Sequence, residues 1–178
     1  MRLIEKPFDV VHIFELNRFQ DERGFFLETY QEHRYNKYGI TENFVQDNQS
    51  RSKKNVLRGL HFTVNKPQSQ LMTVLKGIVF DVVIDLRKDS KSFGEWRGFI
   101  MGGNGPRQIF MPNGFAHGFC VLSEYADLHY KVSKKYDALD EAGILWSDET
   151  IGIEWPIKNP LISVRDRKHP KLNDFFKK

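Results

Sequence analysis

Apolar and polar positions alternate over short stretches of this chain far more often than they recur at helical spacing. In LMTVLKGIVFDVVIDLR (71–87), Phe80, Val82, Ile84 and Leu86 fall at period two. Lys76-Gly77 interrupts that run with a turn, so it predicts two strands. RQIFMP and HGFCVL are further short apolar strands, each close to Gly or Pro. Helical patterning is sparse: LETYQEHRYNKYG (27–39), closed by Gly39, predicts one helix, and KLNDFF near the C-terminus a short helical turn. Many short strands with frequent turns predict an all-β chain, an antiparallel sandwich or small barrel of the jelly-roll kind with a few short helices. No Pro/Gly/Ser-rich linker and no internal repeat divides the 178 residues, so residues 1–178 are read as one domain.

Several stretches carry polar groups where a strand would bury apolar ones. FVQDNQS (44–50) puts Phe44, Gln46, Asn48 and Ser50 on one face and Val45, Asp47 and Gln49 on the other. It is either an edge strand facing water or a barrel strand whose amides line a wet pocket. FQDERGFFLETY (19–30) sets the turn Asp21-Glu22-Arg23-Gly24 before Phe25, Phe26 and Glu28, and by itself reads as a hairpin with a solvated Arg23. In VLRGLHF, Arg58 and His61 are three apart and belong on opposite faces of a regular strand. A bulge at Gly59 would bring both to one pocket.

MPNGFAHGF (111–119) has the P-x-G-x-x-H spacing of the second cupin motif, ending at His117. The earlier stretch His61-Phe62-Thr63 lacks the second His of an H-x-H, so a three-ligand metal site is not assembled on that pattern. Tyr130 and Tyr136 in DLHYKVSKKYD read on their own as packing residues. Asp166, beside Arg165, Arg167 and Lys168 in LISVRDRKHP, reads on its own as surface charge.

Composition narrows the classes. The formal charge of +4 and pI of about 9.1 are mild, and Lys and Arg are scattered. A small anionic ligand fits that balance better than nucleic acid, which wants a basic patch interleaved with aromatics. The single Cys120 rules out an internal disulfide and an all-Cys zinc site, and favours a reducing compartment. No stretch approaches the ~20 apolar residues of a membrane span, and the N-terminus lacks a signal-peptide pattern. A cytoplasmic protein is expected, with neither membrane nor nucleic acid as partner.

Taken in order, FQDERGFFLETY, FVQDNQS, VLRGLHF, GIVFDVVIDLR, FMPNGFAHGFCVLSE, HYKVSKKYD, ILWSDETIGIEWP and LISVRD resemble the nucleotide-sugar 3,5-epimerases, the family of dTDP-4-dehydrorhamnose 3,5-epimerase. The resemblance implies a homodimer of cupin-type jelly rolls that needs no metal or other cofactor. It implies a nucleotide-diphospho-4-keto-6-deoxyhexose as substrate, within deoxysugar synthesis for a capsule or lipopolysaccharide. His61 would be the base and Asp166 its orienting partner, with Asp81 as the alternative partner, and Tyr130 the acid across the ring. Arg23, Glu28, Gln46, Asn48, Arg58, His117, Glu141 and Arg165 would hold nucleotide and sugar. Tyr136, and Phe19 from the partner subunit, would stack on the base. The chemistry agrees: an imidazole accepts a proton near neutral pH, a carboxylate behind it fixes the tautomer, and a phenol is protonated and ready to donate.

The chain departs from the family at HFTVNKPQSQLM. Thr63 stands where Gln is usual and Gln70 where the family has a lysine, and Lys66 in the intervening loop is a poor substitute. A neutral amide brings no charge to an enolate oxygen. The departure leaves open inversion at C3 or C5 only, or a GDP-linked 4-keto heptose as substrate. A nucleotide-sugar 3,4-ketoisomerase, a metal-dependent cupin enzyme and a non-catalytic sugar-binding jelly roll are the other readings.

Overall fold

The computed structural model describes residues 1–103 and 105–177. Its strands are β1 (Arg2–Glu5), β2 (His12–Glu15), β3 (Arg18–Asp21), β4 (Gly24–Leu27), β5 (Gln46–Lys53), β6 (Leu57–Thr63) and β7 (Gln70–Lys76). They continue with β8 (Ile78–Asp85), β9 (Trp96–Gly102), β10 (Arg107–Met111), β11 (Phe115–Val121), β12 (Tyr125–Val132) and β13 (Glu141–Gly143). The short helices α1 (Glu32–Asn36) and α2 (Leu172–Phe176) complete the order. The fold is an antiparallel jelly roll of two facing sheets. One runs β1-β2-β10-β7-β12-β5, the other β13-β6-β11-β8-β9, and β3-β4 form a separate ribbon.

Alternation along the strands sorts the apolar residues into three layers. Val11, Ile13, Met72, Met101, Ile109, Phe119 and Leu128 meet between the sheets. Phe14, Tyr35, Ile40, Leu71 and Phe110 pack α1 on the outside of the six-stranded sheet. Leu60, Val82, Ile84, Leu86, Ile144 and Leu172 pack the C-terminal segment on the outside of the five-stranded one. The period-two set Val82, Ile84 and Leu86 therefore faces the C-terminal segment. Its alternates Val79 and Val83 face the other sheet, because β8 is covered on both sides. Cys120 lies fully buried on β11, and burial pushes its thiol up to about 12.

The helix expected over 27–39 is real but shorter. It covers Glu32–Asn36, ends through turns at Gly39, and holds on through Tyr35, whose hydroxyl donates to buried Gln108. Residues upstream of it enter the β4 strand, so the local pattern gives way to hairpin pairing.

Strand β6 pairs with β11 through His61↔His117 and Arg58↔Phe119, three residues on one strand against two on the other. That is a bulge, and it sits at Gly59, whose φ is +118°. A Cβ there would lie 2.6 Å from the Gly118 Cα and 2.7 Å from the His117 carbonyl oxygen. Only glycine fits both the dihedral and the space. Gly59→Ala is expected to destabilise the fold by about 3 kcal/mol, the sum of backbone strain and overpacking, measured as a drop in the urea midpoint at unchanged slope.

Candidate active site

Between the sheets, toward one end, lies an open cavity of roughly 230 Å³. Strand β5 lines it with Asn48 and Ser50, β12 with Leu128, Tyr130 and Val132, and β7 with Gln70 and Met72. The five-stranded sheet answers with Arg58 and His61 from β6 and with His117 from β11. The bulge at Gly59 is what brings Arg58 and His61 to the same wall. β5 is both an edge strand and a pocket strand: it ends its sheet, and its even-numbered residues point inward.

The loop after β12, β13 and the C-terminal segment close the rim with Tyr136, Glu141 and Arg165. Glu141 accepts from Arg165 and, at 3.2 Å, from the Tyr136 hydroxyl. Gln46 does not line the cavity itself. It donates to Asn48 Oδ1 at 2.7 Å and accepts from the Tyr136 backbone at 2.9 Å, so it fixes both. Arg58 is steered by its Nε, which donates to Ser52 at 3.0 Å.

Two imidazole–carboxylate pairs sit on this wall. His61 Nε2 is 2.9 Å from Asp166 Oδ1, and Asp166, 3% exposed, also accepts the Gly59 N–H on Oδ2 at 3.2 Å. Burial works to raise the Asp166 pKa. The hydrogen bond and charge of His61, the Gly59 N–H and Ser163 outweigh it and hold the carboxyl well below the usual range. His117 Nε2 is 2.8 Å from Asp81 Oδ2. There burial wins over His117 and pushes Asp81 up, and Asp81 Oδ1 has no hydrogen-bond partner. Of the two candidates for orienting His61, Asp166 holds that position and Asp81 serves His117. With Nε2 turned to Asp166, Nδ1 is the nitrogen of His61 left to take a proton, 4.0 Å from Glu141 Oε1.

Tyr130 faces His61 from the opposite sheet. Its hydroxyl is pushed up by burial and by the Glu141 and Tyr136 charges, against the pull of Arg58, so it stays protonated. Gln70 is in the cavity, its amide donating to Gln68 Oε1 at 3.2 Å. Lys66 is not: its ammonium lies 2.6 Å from Asp137, and Asp140 holds its backbone N–H at 2.8 Å.

Three expected residues lie away from the cavity within one chain. Phe19 is 61% exposed on β3, Arg23 pairs with Asp21 of its own turn at 2.6 Å, and Glu28 pairs with Arg34 at 3.3 Å. The reason is topological, since the β3-β4 ribbon bonds to neither main sheet. Sequence reasoning did not assign Ser50, Gln68 or Met72 to the pocket, although Ser50 continues the inward period of Gln46 and Asn48. It also passed over His169, three residues beyond Asp166.

His61, Asp166 and His169 bring three potential ligand atoms within 4.8 Å of one another. The Arg165 guanidinium already lies 3.3 Å from His61 Nε2 and 3.5 Å from Asp166 Oδ1, a fixed positive charge that would repel a dication there.

The family profile described as dTDP-4-dehydrorhamnose 3,5-epimerase matches residues 5–174. The chain belongs to that family. It is 46% identical over 176 residues to the dTDP-4-dehydrorhamnose 3,5-epimerase of Shigella flexneri, covering 98% of this chain and 97% of that one. A crystal structure of the Bacillus anthracis enzyme of that name, with TDP and pyrophosphate bound, superposes with a TM-score of 0.93 at 42% identity, over 96% of this chain and 99% of the other. The Legionella pneumophila dTDP-6-deoxy-D-glucose-3,5-epimerase in complex with dTDP-4-keto-L-rhamnose gives 0.93 at 44% identity, over 97% and 93%.

Because the Asp166 pKa is depressed on folding, its ionised form stabilises the protein above the ordinary carboxylate range. That contribution is lost as pH falls below about 4. Asp166→Asn is expected to lower stability at neutral pH and to flatten the acid side of the stability curve, read from denaturation midpoints at a series of pH values.

Proposed function

We propose that this chain is a metal-independent epimerase of a dTDP-linked 4-keto-6-deoxyhexose that inverts both C3 and C5. The observation that carries the reading is the His61–Asp166 pair facing Tyr130 across one cavity in a member of this family. The ketone acidifies the protons on C3 and C5. His61 Nδ1 removes one, Asp166 stabilises the resulting imidazolium, and the electron pair passes to the ketone as an enolate. Tyr130, on the facing sheet, returns a proton to the opposite face of the carbon. Once His61 has released its proton to solvent and Tyr130 has regained one, the same cycle at the second carbon completes the reaction.

Gln70 and His117 both line the cavity and a smaller cleft beside it. They are the donors for the enolate oxygen, with His117 held in place by the contact of its Nε2 with Asp81 Oδ2. Arg58 and Arg165 take the diphosphate, since a guanidinium fork matches phosphate oxygens. Asn48 and Glu141 hold the sugar and nucleotide, with Gln46 holding Asn48 in place. A relative named as acting at C3 only, the dTDP-4-dehydrorhamnose 3-epimerase of Streptomyces niveus, is 37% identical, against 46% for the Shigella flexneri 3,5-epimerase.

The active form is a homodimer in which the β3-β4 ribbon reaches a second copy's cavity. The support is the ribbon's exposed Phe19, Phe25 and Phe26, whose burial in one chain is far from complete. In that arrangement Phe19 stacks on the base beside Tyr136, and Arg23 and Glu28 bind the substrate of the partner. The reaction belongs to cytoplasmic deoxysugar synthesis for a surface polysaccharide.

In deuterated water, with a dTDP-4-keto-6-deoxyglucose substrate followed by NMR, both the H3 and H5 signals should vanish. His61→Asn should slow that loss by about 10²–10⁴-fold. Tyr130→Phe should retain exchange while product formation falls by a similar factor. Retention of either proton by the wild-type chain would refute double inversion, and a product carbonyl at C3 would mark a ketoisomerase. For the dimer, Arg23→Ala and His61→Asn should each be nearly inactive. Mixing them with subunit exchange should restore about a quarter of the wild-type sites, and no recovery would place Arg23 outside the partner's site.

A further inference from the structure

The C-terminal segment delivers a second imidazole to the catalytic pair. His169 packs edge-on against His61, ring centroids 5.8 Å apart at 79°. Its Nε2 lies 3.5 Å from Asp166 Oδ1, the oxygen that His61 binds, and has no closer polar partner. The ring cannot retreat, because it occupies the place where a side chain on Gly143 would begin. The other carboxylate oxygen of Asp166 is taken by the Gly59 N–H.

We propose that His169 is a positioning residue, its Nε2–H aimed at Asp166 Oδ1, which restrains the hold of that oxygen on His61 and so tempers how strongly Asp166 stabilises the imidazolium. This rests on His61 being the base. A carboxylate oxygen shared between two donors stabilises the imidazolium less than one devoted to it. The contact is long in the substrate-free chain and has room to close when the site is occupied.

The charged and titratable groups around the pair are few. His61 faces it from β6, Glu141 from β13, and Arg165 and Asp166 from its own segment. Burial, followed by the charges of His61 and Arg165, lowers the His169 pKa against the opposing pull of Asp166, so the ring is neutral at physiological pH and carries a single N–H. Glu141 is engaged by Arg165 and Tyr136 and does not compete for it.

The first test needs no catalysis. In protein labelled with ¹⁵N-histidine, the His169 Nε2 resonance should be that of a protonated nitrogen near pH 7.5, and a bare Nε2 would overturn the proposal. The second uses His169→Phe, which keeps the ring and removes the N–H. The acidic limb of its kcat/KM profile should move up by roughly half to one pH unit, with the high-pH plateau within a few-fold of wild type. His169→Gln, whose amide restores a donor, should return the limb toward its original position. A limb that does not move in His169→Phe would reduce His169 to packing, whatever happens to the plateau. Should His61 not be the base, His61→Asn would keep proton exchange while the nitrogen resonance of His169 still reports its own tautomer.

Discussion

One carboxylate organises this molecule. Asp166 lies on a segment that returns from the far end of the chain, and its two oxygens reach a backbone N–H at the β6 bulge and the His61 imidazole. An ionised group at 3% exposure is tolerated only because these bonds compensate its lost hydration. The same contacts therefore seat the C-terminal segment on β6 and set the direction in which His61 points. Asp148 anchors that segment further on, accepting the Leu172 N–H at 2.6 Å, and Leu172 then enters the outer apolar layer. Packing and chemistry meet at a single residue.

The second pair, His117 with Asp81, shows how environment divides like residues between unlike roles. Both carboxylates are buried and both meet an imidazole at under 3 Å. Asp166 has backbone and hydroxyl donors besides its histidine and stays ionised. Asp81 has a histidine and an unpartnered oxygen, so burial drives it toward the protonated form. Depth and the number of donors together decide which carboxylate keeps its charge.

Much of this was legible in the chain. The period-two run over 71–87 gave β7 and β8, the short apolar stretches RQIFMP and HGFCVL fell on β10 and β11 to within two residues, and the inward polar face of 44–50 fits one wall of the cavity. Gly59 between Arg58 and His61 signalled a bulge, because two side chains of that chemistry are of use together only if the strand breaks its alternation. What local pattern could not give was any partnership across the chain. Asp166 reads as surface charge among basic neighbours, yet it is buried by contacts more than a hundred positions away. Nor could alternation tell which face of β8 looks into the sandwich, since the face that does so carries Asp81 beside Val79 and Val83 and the wholly apolar one packs the C-terminal segment. The extent of α1 was overestimated for a related reason: hairpin pairing at its upstream end is a tertiary preference that no propensity records.

The buried thiol of Cys120 has a practical side. It is the sole sulfhydryl of the chain, walled in between strands and held as the unreactive neutral form up to about pH 12. Maleimides and thiol-directed spin labels are attacked by thiolates, so the native protein offers them almost nothing at neutral pH. A cysteine introduced anywhere on the surface, the β3-β4 ribbon included, would be the one labelled position, and the chain serves as it stands as a background-free scaffold for fluorescence and distance measurements.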